Sequence, residues 1–256
     1  MNIVEELYQL TLGKMVAEFE TLESHLAKPE QVKFNDGYVY RFAEQSIQAA
    51  LLQKLARVIT GLQAIQVLNQ AGLIQEQSAL QRISDELTED ISFLSHAIIF
   101  NDHTDLHDRY LAAFYEEEYE DGKTAIEARQ KRPMISRDKI RAYINKNRGQ
   151  KIDQSTGIEA NRTLSKSYSG YVHSASPQVM ELYYGNPPQF NLHGAYQSPL
   201  YEDHVEDLLN YFYRGILAFA FAAKALGNEQ LFSLMHSFSK EFAVKSGNSE
   251  HLTEYV

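Results

Sequence analysis

One histidine, His173, lies near the end of a tyrosine-rich segment, SYSGYVHSASP, at residues 167–177. At about 100° per residue of an α-helix, His173 shares a stripe with Arg162, Lys166 and Ser169. A histidine can move a proton, and lysine and arginine carry positive charge, so these side chains could carry out chemistry together if they converge. The sequence alone leaves open whether Arg162, Lys166 and His173 do converge.

The opposite side of the same predicted helix is apolar. Its stripe consists of four residues, Leu164, Tyr168, Tyr171 and Ala175, about 200° from the histidine stripe. The polar stripe therefore faces solvent or a second chain, or it lines a cleft, and a third alternative is that His173 caps the helix end. Gly170 would allow another group to approach the backbone closely.

A second group of candidates lies on the predicted third helix. Its apolar stripe is predicted to contain Leu80, Ile83, Leu87, Leu94 and Ile98. Asp90 points into the middle of this stripe and Glu86 lies at its edge. A buried carboxylate needs a partner, and Arg82, one turn before Glu86, offers an i to i+4 ion pair. Either these side chains and Tyr168 help to line a polar pocket, or Asp90 is solvated.

Two histidines with helical spacing, His103 and His107, occur in the sequence NDHTDLHDR at residues 101–109. The i to i+4 spacing can hold zinc or another divalent metal. An Asp- and His-rich first turn is also typical of helix capping, because acids favour that end of the helix dipole. Both interpretations stay open, and the sequence predicts no metal site beyond this alternative.

The segment from Arg129 to Lys151 is locally basic on an acidic protein. It holds nine basic residues and one acidic residue, whereas the whole chain has a net charge of −10. The segment either contacts RNA or an acidic partner, or is solvated and neutralises the acidic remainder. The candidate nucleic-acid contacts within it are Arg132, Arg137, Lys139 and Arg141.

Composition restricts the class of protein. Hydrophobic residues make up 44% of the 256 residues, which is ample for a core, and cysteine is absent. Disulfides, thiolate metal sites and cysteine nucleophiles are thereby excluded. The sequence contains no glycine-rich phosphate loop and no dinucleotide motif, so no cofactor is predicted. The lack of a signal-like N-terminus or a long apolar run predicts a soluble cytoplasmic protein that does not enter a membrane.

Apolar residues recur every three or four positions, which predicts an all-α bundle of about seven or eight helices. The predicted helices cover about residues 2–27, 38–71, 75–100, 104–120, a short basic stretch after Ser136, 158–175, 201–226 and 229–244. A loop is predicted at 28–37, and a long ordered loop near 176–200. Residues 1–256 are treated as one domain, in which 121–133 is the candidate internal linker.

The sequence resembles the HEPN superfamily, whose members are helical and include defence and toxin ribonucleases. Active members carry an arginine and a histidine on one helix, separated by four to six residues and arranged around a dimer interface. Here six residues separate Lys166 from His173, and ten separate Arg162 from it. The resemblance implies that these three are the catalytic residues, with His173 moving a proton and Lys166 or Arg162 stabilising charge on a phosphate. The chain also resembles bacterial helical proteins that combine an R-x-x-x-E helix, matched by Arg82 and Glu86, with a segment like YSGYVH at 168–173. The resemblance covers about residues 50–200, and it implies a bacterial homodimer.

Three functions from different classes follow as expectations. The resemblance implies an RNA-directed defence or toxin-type protein centred on His173, either a metal-independent endoribonuclease or a noncatalytic relative. The second is a noncatalytic interaction module whose aromatic loop, Tyr183 to Tyr201, contacts a protein partner. The third is a metal-dependent hydrolase that uses a set drawn from Glu86, Asp90, His103 and His107.

Overall fold

The computed structural model describes residues 3–34, 36–117, 126–127, 133–147 and 168–247. Its helices are α1 (Ile3–Glu23), α2 (Ile47–Gln70), α3 (Ile74–Ile99), α4 (Asp105–Tyr115), α5 (Arg137–Asn147), α6 (Ser176–Met180), α7 (Tyr201–Ala225) and α8 (Glu229–Lys245). Two small antiparallel pairs join β1 (Glu30–Phe34) to β2 (Gly37–Arg41) and β3 (Tyr183–Tyr184) to β4 (Gln189–Phe190). The predicted all-α multi-helix bundle is confirmed.

The core forms where α2, α3 and α7 pack against one another, with α1 and α8 packed around them. The apolar stripes predicted for α2 and α7 are buried, namely Leu51, Leu55, Val58, Leu62 and Ile65, and Leu209, Phe212, Ile216, Phe219 and Ala223. Burying a side chain of this size contributes about 1.5–3 kcal/mol. These stripes therefore provide much of the stability that holds the central helices together.

The region before α2 differs from the prediction. A loop over 28–37 and a helix from residue 38 were expected, but β1 and β2 occupy 30–41 and α2 begins only at Ile47. The alternation of aromatic and β-branched residues in Tyr38–Val39–Tyr40 favours a strand. Ser46 then caps α2, because its side chain accepts the Ala49 N–H at 3.3 Å.

The buried face of α3 also differs from its predicted stripe. Ile83, placed on the core face by its spacing, is 42% exposed. Buried polar residues occupy the helix as well as apolar ones: Gln77, Ser78, Gln81, Ser84, Asp85, Asp90, Ser95 and His96. The physical reason is that α3 packs against α2, α5 and α7, so more than one stripe is covered.

Several boundaries in the middle of the chain fall earlier than predicted. Helix α4 ends at Tyr115, and most of the predicted linker 121–133 lies outside the described residues. Helix α5 follows Ser136, as expected. Residues 148–167 lie outside the described ranges. Helical backbone is present at 168–172, so this helix ends before the predicted Ala175.

The helix end at Val172 has a specific closure. Ser174 has a φ of 49°, and the Ala175 N–H donates to the Gly170 carbonyl at 2.9 Å. A left-handed residue followed by this six-to-one hydrogen bond is the Schellman arrangement that terminates helices. The chain then enters the long ordered loop, which contains α6, β3 and β4.

The C-terminal helices α7 and α8 match the predicted ranges closely. Asn228 caps α8, since its side chain accepts the Leu231 N–H at 2.9 Å. In the part of the chain that the structure describes, no helix is long and apolar enough to span a membrane.

Candidate functional site

The carboxylate of Asp90 is the centre of a buried group of charges on α3. Lys54 Nζ, from α2, lies 2.7 Å from Asp90 Oδ2, and Arg137, from α5, donates to Oδ1 at 2.5 Å. Only 5% of the Asp90 side-chain surface is exposed. Asp90 is therefore directed inward, as its position on the helix predicts. It is paired, and the alternative that it is solvated is wrong.

The pKa values of two neighbouring carboxyl groups in this cluster are shifted in opposite directions. Burial is the largest influence on the pKa of Asp90 and raises it, but Lys54 and Arg137 together lower the pKa below its ordinary value. Burial also raises the pKa of Glu89, and there it outweighs the opposing effects of Arg141 and Arg137. Asp90, which accepts hydrogen bonds from both Lys54 and Arg137, is therefore the more firmly ionised of the two.

Two of the predicted nucleic-acid contacts are directed into the bundle. Arg141 is 4% exposed at its side chain, and its Nε donates to Glu89 at 2.8 Å. Arg137 reaches Glu86 at 3.6 Å in addition to Asp90. Both guanidinium groups thus neutralise acids of α3. Lys139 is exposed on the outer face of α5, and Arg132 lies outside the described residues.

The rim of the cluster carries the predicted helical ion pair. Arg82 Nη2 lies 2.7 Å from Glu86 Oε1, with 17% and 40% of the two side chains exposed. The i to i+4 pairing expected from the sequence is confirmed. Because Glu86 is partly solvated, this pair stabilises the fold less than the buried contacts of Asp90 do.

Tyr168 joins the described end of its helix to α7. Its hydroxyl donates to Asp207, and its ring packs edge-on against Tyr211 with the centroids 6.1 Å apart. Burial is the largest of several influences that raise the pKa of Tyr168. Nearby, Arg214 pairs with Asp85 at 2.6 Å. The inward orientation predicted for Tyr168 is therefore observed.

We call these charged residues the α3 ion cluster: Lys54, Arg82, Asp85, Glu86, Glu89, Asp90, Arg137, Arg141 and Arg214. Every carboxylate in it has a lysine or arginine partner. Among the described residues, no group of three His, Asp or Glu side chains could hold a metal ion. The contacts connect α3 to α2, α5 and α7, so the cluster positions helices.

His103 and His107 both serve the start of α4. The buried His107 ring stacks on Phe93 at 4.0 Å between centroids, and its Nδ1 accepts the Thr104 N–H at 3.1 Å. Burial is the main cause that lowers the pKa of His107. His103 Nε2 lies 2.7 Å from Asp108. The capping alternative accounts for these contacts without a metal.

His173 follows the last helical residue, Val172, and its side chain is exposed. Its N–H donates to the Ser169 carbonyl at 3.1 Å. Within the described ranges, no hydrogen bond or ion pair holds its imidazole ring. Arg162 and Lys166 lie outside those ranges, so the convergence of the three candidate catalytic residues stays a prediction.

A different kind of surface follows His173 along the chain. Residues 172–200 contain one charged residue, Glu181, in a protein in which 23% of residues are charged. Six of its apolar side chains are exposed by 43–73%: Val172, Met180, Tyr183, Phe190, Leu192 and Tyr196. We call these six residues the uncharged surface.

One anchor of this segment surrounds its single charge. Gln75, on α3, donates to the Gln178 carbonyl at 2.8 Å and to Glu181 at 3.2 Å. The Tyr171 hydroxyl donates to the same carboxylate at 2.9 Å. Burial is the largest cause of the raised pKa of Glu181. The charge is thus held against the bundle by Gln75 of α3.

A second anchor lies at the end of α2. The Ala195 N–H donates to the Gly72 carbonyl at 2.8 Å, and the Tyr196 hydroxyl donates to the Gln70 carbonyl at 2.9 Å. Gly194 has a φ of 110°, and a Cβ atom there would lie 2.8 Å from the Ala71 carbonyl oxygen. Glycine is therefore required for the chain to approach α2 this closely.

The predicted close approach at Gly170 is also present. A Cβ atom at this position would lie 2.4 Å from the Gln178 side chain. The absence of a side chain at Gly170 lets α6 fold back on the helix that contains Tyr168. The sequence indicated this approach, and the low charge of 172–200 can also be read from the sequence.

Comparisons with protein-family models, with curated proteins and with solved structures found no match to this chain. The resemblance to HEPN proteins therefore rests on the sequence motifs alone.

Proposed function

We propose that this protein is a noncatalytic helical interaction module that binds another protein through the uncharged surface. The observation that carries the proposal is an anchored 29-residue segment, 172–200, which has one charge, held against the bundle, and six exposed apolar side chains. Contiguous exposed apolar residues mark interaction sites, and the centres of protein interfaces are depleted of charge.

The anchoring of the segment supports the same conclusion. Gln75 and Tyr171 hold one part of it, and Gly72 and Gln70 hold another. A segment whose backbone is fixed before binding loses little conformational entropy when the partner arrives. Exposed aromatic side chains on such a support, such as Tyr183, Phe190 and Tyr196, are of the types that are enriched in protein interfaces.

The RNA-directed activity stays the alternative prediction. His173 borders the uncharged surface and is accessible, which a general base or acid requires. The interaction proposal instead predicts that His173 is dispensable. A substitution at this residue therefore separates the two functions.

The test is affinity purification of the tagged protein from cells that express it naturally, followed by quantitative mass spectrometry. The Leu192→Asp/Met180→Asp variant is expected to lose at least one partner that wild type retains. His173→Ala is expected to retain it. Val244→Asp is the matched control, because Val244 is 68% exposed and lies on α8, away from 172–200 in the chain.

Retention of every partner by the Leu192→Asp/Met180→Asp variant, with an unchanged circular dichroism spectrum, would overturn the proposal. So would loss of the partners in the Val244→Asp control to the same extent. Cleavage of RNA by the purified protein, abolished in His173→Ala, would support the ribonuclease alternative instead.

A further inference from the structure

The hairpin formed by β1 and β2 exposes apolar side chains on both of its faces. Val32, Phe34, Tyr38 and Tyr40 are 45–60% exposed, and Val39 is partly buried. At the base of the hairpin Arg41 pairs with Glu117 at 2.5 Å. Two strands alone are marginally stable in water, and a sheet with an apolar face normally needs at least three.

The register of the hairpin separates its side chains into two rows. Lys33 lies opposite Tyr38 and Gln31 opposite Tyr40, which places both tyrosines on one face. Their rings pack edge-on with centroids 5.6 Å apart. Val32 lies opposite Val39 on the other face. On one face the two tyrosines lie along β2, and on the other Val32 and Val39 form an apolar row across the hairpin that ends at the outer edge of β2.

The two edges of the hairpin differ in charge. Strand β1, EQVKF, carries Glu30 and Lys33, and a lysine on an edge strand discourages further pairing. Strand β2, GYVYR, has no charge before Arg41. Of the two edges, the β2 edge is consequently the one whose charges do not discourage pairing with another strand.

The main chain of β2 is also suitably arranged. The strands close at the pair Phe34–Gly37, and hydrogen-bonded pairs alternate along an antiparallel ladder. Tyr38 and Tyr40 therefore direct their N–H and C=O groups away from β1. The Tyr40 carbonyl accepts there from Arg41 Nη1 at 2.9 Å, and its second lone pair is left for a pairing strand. An antiparallel copy centred on Val39 would place Tyr38 opposite Tyr40 of the second copy, where each could donate to the other.

We propose that the β2 edge pairs with the β2 edge of a second copy of this chain, which forms a four-stranded antiparallel sheet around a two-fold axis. In this register Val39 lies opposite its own copy. The valine rows then join into one stripe of four valines, and Arg41 lies opposite Gly37, so no like charges meet. A two-fold interface requires this self-complementarity.

The strands are short, so the contact is smaller than the roughly 1,200–2,000 Å² of a standard stable interface. The dimer is therefore weak and depends on protein concentration. Sedimentation velocity between roughly 1 μM and 1 mM is expected to show a reversible shift from monomer to dimer.

The register provides a charge-exchange test at the axis. Val39→Lys and Val39→Asp each place two like charges opposite each other, and each variant alone is expected to associate roughly tenfold or more weakly than wild type. A one-to-one mixture of the two variants is expected to recover dimers. Recovery on mixing also shows that the variants retain a pairing-competent hairpin.

Val32→Lys and Val32→Asp are the matched controls, because Val32 lies on the same face but in β1. Each is expected to associate within a few-fold of wild type. A wild-type protein that stays monomeric throughout the concentration range overturns the proposal. The proposal is equally overturned if the Val32→Lys and Val32→Asp variants, and not the Val39 variants, associate weakly alone and recover dimers when mixed. It is also overturned if mixing the Val39 variants restores no dimer.

Discussion

Charged side chains are usually exposed and large apolar side chains buried. The α3 ion cluster and the uncharged surface reverse this distribution, each in its own way. Asp90 is 3% exposed, whereas Leu192 is 73% exposed. The carboxylates of the cluster all find cations within the chain, but the apolar residues of the uncharged surface lie in solvent although their backbone is anchored. The charges of the cluster are paired within one molecule, whereas the uncharged surface is the site at which we propose that a second molecule binds.

The strongest test of this comparison removes the central carboxylate of the cluster. Asp90→Ala leaves Lys54 and Arg137 without their shared partner, and it should lower the free energy of unfolding by about 3–5 kcal/mol. Urea unfolding followed by circular dichroism measures the change.

Glu86→Ala is the matched control at the rim of the same helix. Glu86 is 40% exposed at its side chain, so its loss should change the free energy of unfolding by about 1 kcal/mol or less. Equal effects at positions 86 and 90 would show that burial does not distinguish the centre of the cluster from its rim.

A smaller effect is expected where the loop carrying the uncharged surface meets α2. Gly194→Ala adds a Cβ atom 2.8 Å from a carbonyl oxygen at a φ of 110°, and should lower the free energy of unfolding by about 1–3 kcal/mol. Gly13→Ala, in the exposed part of α1 with no neighbour within 4 Å, should instead stabilise by about 0.5–1 kcal/mol. Thermal unfolding of both variants provides the comparison, and a harmless Gly194→Ala would contradict the close approach.

Acid should reduce the stability that the ion pairs of Asp90 provide. The pKa of Asp90 in the folded protein lies below its ordinary value of 3.8. Its contribution to stability is therefore complete above that value and is lost as the pH falls through the lower, folded pKa. Wild type should lose more stability between neutral and strongly acidic pH than Asp90→Asn does.

Glu89 sharpens this test because its pKa is shifted the other way. Ionisation of Glu89 opposes folding above its ordinary pKa, so Glu89→Gln should make the acid dependence steeper. Urea unfolding at a series of pH values measures both variants. Parallel curves for wild type and Asp90→Asn would refute the assignment.

The smallest effect is expected on the uncharged surface. Leu192→Asp should change the free energy of unfolding by no more than about 0.5 kcal/mol, because the side chain is 73% exposed. Urea unfolding checks this value. A large loss of stability would mean that Leu192 belongs to the core and that the comparison is mistaken.

The sequence was sufficient to predict elements whose periodicity and burial coincide. The stripes of α2 and α7 follow from apolar residues three and four apart, and the inward direction of Asp90 follows from its rotation on α3. Its partners could not be predicted in this way. Lys54 is 36 and Arg137 is 47 positions from Asp90, and helical spacing carries no information about pairs so distant.

The failures have similar physical causes. The β1–β2 hairpin does not follow from the periodicity, because its turn signal, Asn-Asp-Gly, is equally typical of a loop and Tyr38 and Tyr40 continue the pattern of the helix that follows. Ile83 is predicted in the core only if α3 buries a single stripe, but three other helices cover α3. In 172–200, prolines and aromatics predict an ordered loop. Its anchor points on α2 and α3 could not be predicted, because they are more than 100 positions away in the chain.

The Tyr196 hydroxyl and the Gln70 carbonyl are 126 positions apart in the chain. Contacts between such distant residues form late in folding, because the intervening chain must first be brought together. The loop can therefore take its final shape only after α2 and α3 have assembled. A partner that binds the uncharged surface would recognise the completed fold, and nascent or partly unfolded chains would not compete for it.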